Sequence, residues 1–104
     1  MLDTLKAALA ATGLPFAHFG WSKAPADDYG VWAEDGAADL SADNAHAETL
    51  VEGTVDFYTR DDTLAAQPLI EAALTAAGCA WHLSSIQLED DTGYIHLEWV
   101  FQGI

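Results

Sequence analysis

The stretch Tyr94-Ile95-His96-Leu97-Glu98-Trp99-Val100-Phe101-Gln102 alternates: Ile95, Leu97, Trp99 and Phe101 fall on one side, and Tyr94, His96, Glu98 and Gln102 on the other. A period of two with large apolar residues on one side marks a strand with one buried and one wetted face, so the apolar set is assigned to the core. Just before it, Ala80 to Leu88 reads as a second strand. Glu89-Asp90-Asp91-Thr92-Gly93 joins the two as a short hairpin loop, with Gly93 at the φ > 0 position. The alternation recurs from Thr49 to Thr59, with Val51, Val55 and Phe57 on one face, Gly53 between them, and Glu52, Thr54 and Asp56 on the other. Phe16 to Phe19 and Tyr29 to Ala33 are shorter strands, read as a pair across the loop at residues 23–28. Asp35 to His46, rich in Ala, Asp, Ser and Gly and without period, reads as a long exposed loop.

Two helices complete the pattern. Leu2, Leu5 and Leu9 recur at helical spacing over Leu2 to Thr12. Gly13 then supplies a left-handed residue, Leu14 folds back on Leu9, and Pro15 forbids continuation. The same cap chemistry recurs at Leu74-Thr75-Ala76-Ala77-Gly78-Cys79. That predicts a second helix over Leu64 to Ala77, with Asp61 or Asp62 near its start and Leu69, Ile70, Ala73, Leu74 and Ala77 facing inward. Pro68 fits either in the first turn or at a bend. The resulting expectation is one α+β domain over residues 1–104. It has a single, mostly antiparallel sheet of four to five strands with two helices packed on one face, in the order α-β-β-β-α-β-β.

At 104 residues there is room for one core, and 51% hydrophobic content is enough to build it. The 17 acidic against 3 basic residues give a formal charge of −14. Only Lys6, Lys23 and Arg60 could neutralise phosphates, so direct nucleic-acid binding and attraction to anionic lipid are excluded as expectations. No apolar run approaches the ~18 residues of a membrane span, and no export signal is recognisable. Cys79, the single cysteine, is expected as a small buried hydrophobe.

Catalytic and cofactor motifs are not found. Histidines 18, 46, 82 and 96 are not spaced as helical ligand pairs, although His82 and His96 fall on neighbouring strands. They are expected on a wetted sheet face, with no metal site and no cofactor. Asp39-Leu-Ser-Ala-Asp43-Asn44 and Glu89-Asp90-Asp91 lack the spacing of a calcium loop. Carboxylate pairs such as Glu34 with Asp35 are unavoidable in so acidic a chain, and no nucleophile elbow or phosphate loop appears, so no enzymatic activity is expected. Of the four tryptophans, Trp81 and Trp99 are expected to fill the core, while Trp21 opens a loop where it can anchor a partner.

With the element order in place, a family resemblance emerges. Ala42-Asp43-Asn44-Ala45-His46 precedes the strand Val55-Asp56-Phe57-Tyr58-Thr59. Asp61-Asp62, a helix ending Ala72-Ala73-Leu74-x-x-x-Gly78 and a hairpin with a closing aromatic strand follow. This resembles the small tail-completion proteins of long-tailed bacteriophages, the tail terminator or tail-to-head joining family. Asp43 and Asn44 match the first family motif. Phe57, Tyr58 and Thr59 match the second, with Phe57 in place of the usual aliphatic. The match covers Phe16 to Phe101. It departs from the family at Asp28-Tyr29-Gly30, where a Pro-aromatic strand start is common, and in its few lysines, so the family's ring electrostatics do not carry over.

The resemblance implies a non-enzymatic virion protein of a phage or prophage. It would form a hexameric ring in the host cytoplasm during assembly and then sit at the head-proximal end of the tail. There it would cap the tail tube and join it to the head-completion proteins, with DNA passing through without being bound. Rings need heterologous interfaces, for which sheet edges and the long loop are candidates. The expected contact residues are Trp21, Asp35, Asp39, Leu40, Asp43, Asn44 and His46. Copies at −14 each repel, so assembly is expected to strengthen with salt. The rival reading is a small acidic binding module that mimics DNA and occupies a basic protein. That role needs carboxylates in rows, whereas here they scatter over loops and strands.

Overall fold

In the computed structural model, which describes residues 1–39 and 49–104, the chain runs α1 (Leu2–Ala11), β1 (Phe16–His18), β2 (Tyr29–Asp39), β3 (Thr49–Thr59), α2 (Ala66–Ala76), β4 (Ala80–Leu88) and β5 (Ile95–Gly103). The α+β class and the element order are as the sequence predicts. The five strands form one sheet in the order β1-β2-β3-β5-β4. Three ladders are antiparallel, and β1 lies parallel to β2.

The alternating residues do what their period requires. Val55, Phe57, Leu97, Trp99 and Phe101, with Trp32 from β2, are buried beneath Leu5 and Leu9 of α1 and Ile70, Ala73 and Leu74 of α2. Burying this cluster is the main contribution to stability. Two glycines let the sheet pack closely. A Cβ on Gly53 would run into the Ala33 carbonyl and the Phe101 ring, and one on Gly30 would meet the Phe16 ring, which lies across it.

Both helices end on a glycine of positive φ, Gly13 and Gly78. At α2 both bonds of the Schellman arrangement form, Cys79 N–H to Leu74 O at 3.2 Å and Gly78 N–H to Thr75 O at 3.0 Å, with Gly78 at φ 81°. At α1 only the inner bond forms, Gly13 N–H to Ala10 O. The Thr12 hydroxyl replaces the outer one, donating to Leu9 O (2.6 Å) and accepting from Leu14 N–H (3.1 Å). Pro68 sits in the first turn of α2, where its missing N–H costs no helix bond. The turn before it is set by the Asp61 carboxylate, which accepts from the N–H groups of Thr63 and Ala65 and from the Thr63 hydroxyl.

Several local expectations are corrected. The stretch from Asp35 is not loop throughout, because β2 continues to Asp39, paired with β3 through Asp39 and Thr49, with a bulge between Glu34 and Gly36. Partner strand overrides weak propensity here. The second helix begins at Ala66 and not Leu64, since Leu64 adopts φ 53°. Leu69 points outward, 48% exposed, because α2 presents Ile70, Ala73 and Leu74 to the sheet. Trp32 and Trp99 are buried, whereas Trp81 only packs against the core, half-buried, and donates its indole N–H to the Thr75 hydroxyl.

Candidate functional site

Both helices lie on one side of the sheet, so among the described residues the other side is built of strand residues and the loops that flank them. The register arranges them in rows across β2, β3, β5 and β4. One row is Tyr29, Tyr58, His96 and Gln87; the next is Val31, Asp56, Glu98 and Ser85. The first row is a stack, with Tyr29 on Tyr58 at 4.8 Å between ring centroids and Tyr58 on His96 at 4.3 Å. Tyr94 meets both tyrosines edge-on, and the Arg60 guanidinium lies 3.9 Å over its ring. The Tyr94 hydroxyl reaches the carbonyls of Ala26 and Asp27, and Arg60 donates to the carbonyls of Ala26 and Thr92, tying the loop before β2 to the β4–β5 hairpin. Thr59, buried, adds a bond to the Asp28 carboxylate at 2.9 Å.

The second row carries charge. His96 Nε2 lies 2.7 Å from Asp56 Oδ1, its Nδ1 faces Glu89 at 3.8 Å, and Glu98 stands opposite Asp56 across the β3–β5 ladder. Burial pushes the Asp56 carboxyl up despite the hydrogen bond from His96. The Tyr58 hydroxyl is pushed up to about 12, first by burial and then by Asp56. A second histidine pair lies where β1 meets β2, with His18 stacked on Trp32 and bonded to Glu34. The Glu34 carboxyl is held below its ordinary value by its backbone N–H and by His18.

Of the predicted contact residues, Trp21, Asp35 and Asp39 lie among the described residues. Trp21 is half-buried, donates its indole N–H to Gly30 O at 2.9 Å, and lines a cleft of about 360 Å³ with Lys6, Leu14, His18 and Trp32. Its indole N–H is thus engaged within the fold, while part of the ring stays accessible. Asp35 is exposed at the β2 bulge and Asp39 ends β2. Leu40, Asp43, Asn44 and His46 lie outside the described residues. His82 and His96 do not approach, because His82 is paired with Val100 and His96 with Gln87. Sequence reasoning missed the Asp56, Tyr58, His96 and Glu98 square. The i, i+2 spacing within β3 and within β5 places each pair on one face, but only the register between strands 40 residues apart brings the pairs together.

The sheet edges differ in a way that bears on assembly. β4 pairs only with β5, so its other edge is open among the described residues. Its nine residues, Ala-Trp-His-Leu-Ser-Ser-Ile-Gln-Leu, include no charged residue and no proline in a chain of 17 acids. Ile86 and Leu88 on it are 44% and 63% exposed. At the opposite edge β1 pairs with β2 at Gly30 to Trp32, and from Ala33 onward β2 has no second partner strand among the described residues.

No protein-family model and no curated protein matches this chain. A solved structure whose designation names no activity is similar over 100% of this chain and 97% of its own, at 19% identity and a TM-score of 0.48. A likeness of that size carries no argument about function. No helix among the described residues is long and apolar enough to cross a membrane.

Proposed function

We propose that this protein is a structural subunit that acts by assembling with copies of itself, as a tail terminator or tail-completion ring of a phage or prophage. The observation that carries the assembly reading is the uncharged edge of β4. Sheet edges are ordinarily blunted by charge or proline, because an open edge templates pairing with another chain. In so acidic a protein, a nine-residue edge without either, bearing Ile86 and Leu88, fits a strand that is covered in the working state. The ladders fix the directions: β4 runs antiparallel to β2, so β4 of one copy can add antiparallel to the open part of β2 of the next. Such a contact joins two different surfaces and is therefore heterologous, the kind that closes rings. The tail-completion role itself rests on the resemblance of residues 16–101, with the tail-tube and head-completion proteins as partners.

The test is light scattering behind a sizing column at low and moderate salt. A mass near six subunits that persists or grows with salt is expected, because screening relieves repulsion between copies at −14 each. Ile86→Lys should yield monomer with an unchanged protomer fold. A strict monomer that also fails to bind a tail-tube protein, or a ring that dissociates on adding salt, overturns the reading. Capture of a basic DNA-binding protein by that monomer would favour the acidic-module alternative.

A further inference from the structure

On the uncovered sheet face Tyr58, His96, Asp56 and Glu98 make a square, with Tyr58 opposite His96 and Asp56 opposite Glu98 on β3 and β5. We propose that His96, Asp56 and Glu98 form a binding site for a first-row divalent transition cation, zinc being the probe of choice. The inference does not depend on the ring.

Three features of the geometry support it. The ligand atoms of the three side chains lie within 4.8 Å of one another, a spread that small side-chain rotations close onto an ion with bonds of about 2.0–2.2 Å. The imidazole is already aimed. Tyr58 stacks on one face of it, Nε2 points at Asp56, and Nδ1 faces the Glu89 carboxylate at 3.8 Å, a short rotation from the carboxylate–histidine–metal order in which that carboxylate would hold the tautomer for ligation. Finally, two carboxylates directly opposite each other on neighbouring strands repel. One histidine cannot neutralise Asp56, Glu98 and Glu89 together, whereas a dication in place of the His96–Asp56 hydrogen bond relieves the repulsion. The nitrogen ligand favours zinc-like ions over calcium or magnesium, and three protein ligands leave open positions for water. The backbone needs no rearrangement, since all three residues sit on paired strands.

The experiment is calorimetric titration of the full chain with zinc chloride in metal-free buffer, with cobalt(II) absorption as a second readout. One saturable site is expected. His96→Gln should abolish it, Glu98→Gln should weaken it by about tenfold or more, and Glu34→Gln, at the separate His18 pair, should leave it unchanged. Should a variant fail to fold, cobalt(II) broadening of the wild-type imidazole signals tests the same point, and broadening centred on His96 and not on His18 is expected. Binding with no defined stoichiometry, affinity indifferent to Glu98→Gln, or broadening spread over every histidine would mean adventitious ions on an acidic surface and overturn the site.

Discussion

Phe57 and Tyr58 are neighbours in β3 and live in different worlds. Phe57 is fully buried under both helices; Tyr58 lies half-buried on the open face, stacked between Tyr29 and His96. The covered face draws its stability from apolar area removed from water, where every atom has a packed neighbour. The open face draws its cohesion from ring stacking and polar pairs across strands, each worth a fraction of a core residue. One face therefore holds the fold, and the other is free to carry chemistry.

That contrast can be broken by substitution. Phe57→Ala should cost about 3–5 kcal/mol in urea unfolding, whereas Tyr58→Ala should cost no more than about 1 kcal/mol. Equal losses would mean that the open face is covered in solution, and would locate the contact between copies there instead of at β4. Gly53→Ala should fall between them, at about 1–3 kcal/mol, because its methyl group would have to displace the Ala33 carbonyl and the Phe101 ring. The same substitution at Gly36, where the nearest atom is a Glu52 carboxylate oxygen at 3.6 Å, should be close to neutral.

The smallest effect is one of pH. Asp61 is held below the ordinary carboxylate range by the Thr63 hydroxyl and the N–H groups of Thr63 and Ala65, and Glu34 by its own N–H and His18. A carboxyl whose folded pKa is depressed adds stability above its unfolded value of about 4 and loses it as pH falls through the folded one. The Tm should therefore drop as pH goes from about 5 towards 3, and Asp61→Ala should flatten that slope. A slope that survives in both Asp61→Ala and Glu34→Gln would assign acid sensitivity to other carboxyls.

How far the sequence spoke follows the same division. Ile95 to Phe101 declared its buried side because each apolar residue there is large, and Gly13 and Gly78 marked both helix ends. The segment Asp35-Gly36-Ala37-Ala38-Asp39 gave no such sign. It is strand because β3 supplies a ladder, and a ladder depends on a partner that local sequence does not contain. Trp21 was legible as a loop aromatic, but its bond to Gly30 O depends on where β2 lies. Asp56 and Glu98 were each legible as wetted-face residues, yet their opposition is a fact of register alone.

The strand order has a consequence for how the chain comes to be folded. β5 is the latest strand among the described residues, yet it lies inside the sheet, between β3 and β4. During synthesis β4 thus leaves the ribosome before β5, the strand it pairs with, while β3 waits with one flank open. The β4–β5 hairpin closes locally, in about 1–10 μs, but docking it on β3 bridges some 40 residues and is the slower event. Until then Ala80–Leu88, uncharged and ending in exposed Leu88, is an unpaired sticky segment, so a nascent chain stalled at residue 88 is an aggregation hazard and not a half-built domain.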